Sequence, residues 1–266
     1  MDGPEDRRAC GGRKVAAMRR RRGFTLTEML VVVGIFILLL ALLMPALEKA
    51  REQARRAKCR AQLREIVRAC MMYADDDPNG IYVYDLGDTG THLDNLMHLY
   101  PKYMTSLKLA ICPSTAHIIR TDPANLVTAG DPIGSTNPAM IGRPRDLSRF
   151  DGGGANSSAG GHSYEVRAYM WAGNWPDGRY IPSNTVKTKS NIRYPSKVKL
   201  IEDGMDEMTV NGVSYPNNWP CPYHNHGAAG VNVGFCDGHV EWVPRGRQLL
   251  QTFYDSYYAA PNVTVP

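Results

Sequence analysis

An almost unbroken apolar stretch near the N-terminus dominates the pattern of hydrophobic and polar positions along the chain. It runs from Met29 to Met44, and with its flanks the segment from Phe24 to Leu47 has 24 residues. As an α-helix this segment rises about 36 Å, which is enough to cross a hydrocarbon core of roughly 30 Å. No small-x-small cleavage site follows it, so it differs from a secretory signal peptide. The pattern predicts a transmembrane helix over residues 24–47.

The same helix is predicted to continue with a different character. No helix breaker occurs over residues 46–75, and Pro78 follows in a turn-forming segment. Residues 48–68 carry eight Lys or Arg against three acids, which is either a solvated face or a surface for lipid headgroups or acidic neighbouring subunits. Apolar residues then recur at helical spacing: Cys59, Leu63, Ile66, Cys70 and Tyr73. We therefore predict a stalk over residues 48–76 whose second half packs on a globular domain.

The rest of the chain is predicted to form that domain, over residues 77–266. Residues 197–202 have the composition of a β-strand, and residues 231–243 alternate as in a β-hairpin. Residues 121–161 contain eight Gly and four Pro, which predicts a loop-rich insert. The expected fold class is α+β, with a long N-terminal transmembrane and stalk helix packed on a small antiparallel β-sheet domain.

The hairpin carries the most definite local signal. Asp237-Gly238 between two alternating segments predicts a two-residue type I′ turn. That turn would pair Phe235 with Val240 and Val233 with Trp242. All four side chains would then share one face, which we expect to pack on the apolar stripe of the helix.

The positive charge of the chain is concentrated at its N-terminus. Residues 1–23 hold eight Lys or Arg and three acids, whereas the remainder carries 23 of each sign. Basic residues beside an apolar helix keep that side of the membrane cytoplasmic, so the domain is expected on the periplasmic side. Residues 71–266 carry 15 basic and 19 acidic residues, which argues against general affinity for nucleic acid. Met18 directly precedes the arginines and is an alternative start of translation.

The junction between the basic leader and the apolar helix resembles a known processing signal. Four arginines at 19–22 are followed by Gly23, Phe24 and then Thr25-Leu26-Thr27-Glu28. This arrangement is similar to the class III signal of type IV prepilins and type II secretion pseudopilins. The alternative is an ordinary signal anchor, in which Glu28 lies at the headgroup level.

The resemblance implies a role for several of these residues. Prepilin peptidase, a membrane-embedded enzyme, would cut between Gly23 and Phe24 and methylate the new amino group of Phe24. Glu28 is the nearby carboxylate able to offset that cationic amine at low dielectric, and we expect it to act in assembly. Pro45 would be the twenty-second mature residue, and a proline inside a helix bends or locally melts it.

A second, looser resemblance lies in the C-terminal third. The hairpin resembles the H-x9-DG element of prepilin-like proteins abundant in Planctomycetes. In that element nine residues separate a His from Asp-Gly, whereas ten separate His226 from Asp237-Gly238.

Four polar residues in this region are candidates for metal binding: His224, His226, Asp237 and His239. Imidazole and carboxylate groups are ordinary zinc ligands. However, the turn already accounts for Asp237, and His239 is expected on the hairpin face opposite the apolar one. We favour a structural, hydrogen-bonding role and expect neither a metal nor another cofactor. No catalytic triad, phosphate-binding loop or pair of catalytic carboxylates stands out, so the chain is not expected to be an enzyme.

Five cysteines remain once the leader, which contains Cys10, is removed. A periplasmic domain permits disulfides. Cys59 and Cys70 lie about 16 Å apart on one helix and cannot pair with each other. Each can pair with a cysteine of the domain, and we favour a Cys112–Cys221 disulfide because a proline follows each of these residues.

These observations predict a single-pass inner-membrane protein with a structural role. Its expected partners are prepilin peptidase, the inner membrane and identical or related pilin-like subunits in a filament. Two other hypotheses remain open: a minor pilin that binds DNA or a surface through an exposed loop, and a membrane-tethered metalloenzyme that uses the histidines.

Overall fold

The protein is described by a computed structural model. The structure describes residues 24–83, 94–149, 155–167, 173–174, 180–181, 186–205, 208–210, 212–215 and 219–258. Gly23, on the leader side of the predicted cleavage bond, lies outside the described residues. The chain divides into two compact units, with the boundary in the sequence between Glu48 and Lys49.

Helix α1, Leu26–Asp76, has 51 residues and passes through Pro45 without losing helical structure. Its N-terminal part belongs to the first unit, and there every side chain from Phe24 to Glu48 is exposed. This helix is long and apolar enough to cross a membrane. An exposed, continuously apolar surface of this kind suits lipid contact better than water.

In the second unit, α1 buries the stripe that the spacing predicted. Its buried side chains are Cys59, Leu63, Ile66, Val67, Ala69, Cys70 and Ala74. The helix ends in the predicted turn, where the Asp77 Oδ1 atom accepts hydrogen bonds from the backbone of Asn79 and Ile81. Gly80 follows with φ of 66°, a conformation that glycine adopts without strain.

A four-stranded antiparallel sheet packs in the same unit and confirms the α+β class. Its strands are β1 (Tyr164–Val166), β4 (Lys199–Asp203), β7 (Gly230–Phe235) and β8 (Val240–Pro244), in the order β1-β4-β7-β8. Two small hairpins pair β2 (Gly173–Asn174) with β3 (Tyr180–Ile181) and β5 (Met208–Val210) with β6 (Val213–Tyr215). Within the described residues, the other α-helices are α2 (Pro132–Thr136) and α3 (Arg247–Tyr258).

The register of the β7–β8 hairpin differs from the prediction by one residue. The structure pairs Gly234 with Val240 and Val233 with Glu241, rather than Phe235 with Val240. The backbone N–H of Phe235 donates to His239 O at 3.0 Å, so the loop contains three residues, 236–238. Gly238 has φ of 98°, which is the left-handed residue that a three-residue hairpin loop requires.

Neighbouring side chains of a strand point to opposite sides, so the shift separates the four side chains that were predicted to share a face. Val240 and Trp242 lie on the face of the hairpin that packs on α1, whereas Val233 and Phe235 lie on the other face. Val233 and Phe235 therefore do not pack on α1. They pack with Leu249 and Phe253 of α3, a helix that the sequence pattern did not indicate. Val240 belongs, as predicted, to the core formed with α1, and Cys236 lies in the same core.

The loop-rich segment 121–161 is irregular but tied to the domain. It contains α2 and three short 3-10 turns, Pro123–Asn125, Pro138–Met140 and Arg145–Ser148. The buried carboxylate of Asp146 accepts from the Arg120 guanidinium at 2.6 Å. Arg143 donates to the backbone oxygen of Met97 at 2.6 Å. These bonds hold its described part in a defined conformation.

A buried ionic group lies between β1 and β4. The Glu202 Oε1 atom accepts from Lys199 Nζ at 2.7 Å and from Arg167 Nε at 2.8 Å. Arg167 also pairs with Glu165. The Lys199 and Glu202 side chains are almost completely buried, so their charges depend on each other for compensation.

Candidate functional site

The start of α1 is built around Glu28. The Glu28 Oε2 atom accepts from the backbone N–H of Thr25 at 2.8 Å and from the Thr25 hydroxyl at 2.9 Å. In return, the Glu28 N–H donates to Thr25 Oγ1 at 3.2 Å. This reciprocal pattern is a capping box, which satisfies backbone donors that the first helical turn leaves free.

The Glu28 carboxylate contacts the backbone N–H of Thr25, and the backbone nitrogen of Phe24 lies one residue earlier in the chain. That nitrogen is the atom which cleavage after Gly23 would convert into an amine. A carboxylate at a helix N-terminus also interacts favourably with the helix dipole. In the sequence, Glu28 stands out as a charged residue beside an apolar stretch, but its contact with Thr25 was not predicted.

The histidines and the aspartate predicted as one candidate group do not come together. His239 pairs with Asp237 at 2.5 Å between Nδ1 and Oδ1, and its ring stacks on Phe235 with centroids 4.3 Å apart. His224 accepts a hydrogen bond from the backbone of Cys221 at 3.0 Å. Each of these two histidines bonds within its own turn, and a structural role for His224 and His239 stays a prediction. His226 lies in different surroundings.

His226 belongs to a cluster of four buried side chains that we call the Cys59 cluster: Cys59, Cys112, Asp203 and His226. One ligand atom of each lies within 4.8 Å of those of the other three. Cys59 Sγ donates to Asp203 Oδ1 at 3.1 Å, and Cys112 Sγ lies 3.4 Å from His226 Nε2. His226 Nε2 is 3.8 Å from Asp203 Oδ2.

Separate elements of the second unit supply the members of this cluster. Cys59 projects from α1, and Asp203 is the last residue of β4. Cys112 follows the 3-10 turn Leu107–Ala110, whereas His226 precedes the turn that leads into β7. Only the packing of α1 on the sheet and its loops brings these residues together.

Polar neighbours orient the imidazole and the carboxylate of the cluster. His226 Nδ1 lies 2.9 Å from Glu52 Oε1 and 3.1 Å from Ser114 Oγ. Asp203 Oδ2 accepts from the backbone N–H and the side-chain amide of Asn232 at 2.7 and 3.0 Å. Both groups are therefore held in one orientation.

The electrostatics of the cluster favour charge separation between a thiol and the imidazole. Burial raises the pKa of Cys112, but its hydrogen bonds with Cys59 and His226 outweigh burial and bring the pKa down to about 7. Burial lowers the pKa of His226, yet its bond with Cys112 and the charge of Asp203 raise the pKa to about 9. Burial and these neighbours raise the pKa of Cys59 well above its usual value. Cys112 is fully buried, so its low pKa does not make it an accessible nucleophile.

The favoured Cys112–Cys221 disulfide is not formed. The five cysteines among the described residues are buried thiols that form no disulfide with one another. Cys112 faces His226 in the Cys59 cluster. Cys221 instead opens a tight turn, in which its sulfur accepts from the backbone N–H of Tyr223 at 3.4 Å.

The comparison with known families addresses the N-terminal site. Residues 18–44 match the family model of the prokaryotic N-terminal methylation motif. No curated protein and no solved structure matches the chain significantly. The match supports a type IV pilin-like protein, a prepilin-like subunit that prepilin peptidase processes. The long apolar helix is consistent with membrane anchoring, and the α+β fold is consistent with a pilin.

Proposed function

We propose that the chain is a structural, non-enzymatic subunit of a type II secretion or type IV pilus-like filament. The observation that carries this proposal is the methylation motif over residues 18–44, which leads into the exposed apolar part of α1. Before assembly the subunit spans the inner membrane once, with residues 1–23 in the cytoplasm and residues 77–266 in the periplasm. Head-to-tail contacts between related subunits then build an open filament.

In this proposal, cleavage between Gly23 and Phe24 changes the charge at the start of α1. The new Phe24 amine is cationic even after methylation, and burying it among apolar helices costs several kcal/mol unless it is paired. Glu28 supplies the opposite charge. Its present bonds to Thr25 show that the carboxylate is already held at the helix start.

Processing is tested by the intact mass and N-terminal sequence of the full chain, extracted from membranes of a host with prepilin peptidase. We expect a mature chain that begins at N-methylated Phe24. Gly23→Val should abolish cleavage. Gly34→Val is the matched control, since no atom lies within 4 Å of the position that its first side-chain carbon would occupy. An uncut wild-type chain, or equal cleavage of the Gly23 variant, would refute the proposed processing.

Assembly is tested separately with variants of Glu28. We expect Glu28→Gln to be cleaved as efficiently as the wild type but to enter sheared or cross-linked filaments at least about tenfold less, because the new amine then lacks its counter-charge. Glu48→Gln, an exposed acid further along the same helix, should assemble normally. Normal filament yield from Glu28→Gln would exclude the pairing role while leaving the processing result intact.

A further inference from the structure

We propose that the Cys59 cluster is a structural zinc site, in which Cys59, Cys112, Asp203 and His226 bind one Zn²⁺ ion. This inference is independent of processing and filament assembly, since all four residues lie in the second unit of the chain. It gives His226 a more specific role than the hydrogen-bonding one expected from the sequence.

The donor set is that of a tetrahedral zinc site. Zinc in proteins takes four ligands from thiolate sulfur, imidazole nitrogen and carboxylate oxygen. With bonds of about 2.3 Å to sulfur and 2.0–2.2 Å to nitrogen or oxygen, ligand atoms around tetrahedral zinc lie about 3.3–3.8 Å apart. Cys59 Sγ lies 3.1 Å from Asp203 Oδ1, Cys112 Sγ lies 3.4 Å from His226 Nε2, and His226 Nε2 lies 3.8 Å from the other carboxylate oxygen, Asp203 Oδ2. One ligand atom from each of the four residues can be chosen so that all lie within 4.8 Å of one another. Small side-chain movements therefore suffice to complete the coordination.

The surroundings of the cluster also match a metal site. A metal-bound histidine usually donates its second ring N–H to a carboxylate, which fixes the ring and raises its basicity. His226 directs Nε2 toward Cys112 and Asp203, while Nδ1 lies 2.9 Å from the Glu52 carboxylate. Asn232 likewise fixes the Asp203 carboxylate by donating two hydrogen bonds to its Oδ2 atom.

Burial and ligand number indicate a structural rather than a catalytic ion. Structural zinc sites have four protein ligands, whereas catalytic sites keep one position for water or substrate. Here four protein ligands are available, and each is at most 6% exposed. Two thiol ligands favour zinc over calcium and magnesium, which prefer oxygen. The bound ion would fasten α1 to the end of β4 and to the loops that carry Cys112 and His226.

The first test is the metal content of the full chain, purified in detergent without chelators. We expect about one zinc per chain in the wild type and its loss in Cys112→Ser and Asp203→Asn. Cys70→Ser is the matched control, because Cys70 is an equally buried cysteine on α1 outside the cluster. Glu52→Gln keeps all four ligands and should weaken zinc affinity about 10–100-fold.

Cobalt binding by the wild-type chain provides a test that does not depend on a folded variant. After zinc removal, Co²⁺ should give the visible bands of a tetrahedral site together with a thiolate charge-transfer band. Zinc should then displace the cobalt at one equivalent.

Three results would overturn the zinc site. One is a folded wild-type chain that contains no zinc and takes up neither zinc nor cobalt. Another is a Cys59–Cys112 disulfide in peptides of the unreduced protein. The third is equal loss of zinc from Cys70→Ser and Cys112→Ser, both folded as judged by circular dichroism, since the metal would then not depend on the cluster.

Discussion

The packing of β7 against α1 predicts that even a methyl group added at Gly234 destabilises the domain. A Cβ atom added there would lie 2.5 Å from Val67 Cγ2 and 3.1 Å from Ile201 Cγ2. Carbon atoms pack best at about 3.5–4.0 Å, so Val67 has to move by about 1 Å. Val67 and Ile201 are completely buried, and a close-packed core has no space to receive them. We expect Gly234→Ala to lower the free energy of unfolding by about 1–3 kcal/mol.

The measurement is urea unfolding of the full chain in detergent micelles, followed by tryptophan fluorescence. Gly130→Ala is the matched control, because nothing lies within 4 Å of the position of its added Cβ atom. This control should change the free energy of unfolding by less than about 0.5 kcal/mol, or stabilise the domain slightly. Val67→Ala combined with Gly234→Ala should cost less than the sum of the two single changes, by about 1 kcal/mol.

A neutral Gly234→Ala would refute this reasoning. With the two-residue turn predicted from the sequence, Gly234 would lie on the face of the hairpin opposite α1, and a methyl group there would not meet Val67. The experiment therefore distinguishes the two registers of the hairpin. Additive effects of Gly234→Ala and Val67→Ala would likewise contradict the contact between these residues.

Two further predictions concern buried titratable groups in the second unit. Burial lowers the pKa of His162 from 6.5 to about 4, so on acidification the unfolded chain takes up a proton before the folded chain does. The contribution of His162 to the free energy of unfolding is therefore complete above pH 6.5 and is lost as the pH falls toward 4. Between pH 7 and pH 5 we expect the free energy of unfolding to fall by about 2 kcal/mol for this reason, as measured by urea unfolding at both pH values. If His162→Gln shows the same pH dependence as the wild type, His162 is not the cause. Glu202→Gln should cost about 3–5 kcal/mol because it leaves Lys199 and Arg167 without their shared buried carboxylate. Glu65→Gln, which removes an exposed ion pair, should cost less than about 1 kcal/mol in the same assay, and equal effects of the two changes would refute the argument.

Features that depend on neighbouring residues within one helix or strand could be predicted from the sequence. The apolar stretch after Phe24 is long enough to be recognised by length alone, and the stripe from Cys59 to Tyr73 follows from the helical repeat. The end of α1 before Pro78 and the strand that ends at Asp203 were also predicted locally. In each case the information lies within a few turns of helix or a few residues of strand.

The hairpin register was decided by one residue of the loop. Asp237-Gly238 suits a two-residue turn, but the same sequence is also compatible with a three-residue loop that includes Cys236. In the structure Cys236 lies in the core with Val240, and Gly234 provides the space for Val67. Packing against α1 on one face and α3 on the other therefore selects the register, and neither contact can be read from the alternation of β7 and β8.

The Cys59 cluster could not be predicted from the sequence. Its four members are spread from residue 59 to residue 226, without the short Cys–x–x–Cys spacing that signals zinc in a sequence. From the sequence, Cys59 was one position of an apolar stripe and a possible disulfide partner, and Asp203 simply followed a predicted strand. A set of metal ligands can be identified only when its donor atoms lie close enough to contact one ion. Here that proximity arises from the packing of α1, β4 and two loops, and not from any local sequence pattern.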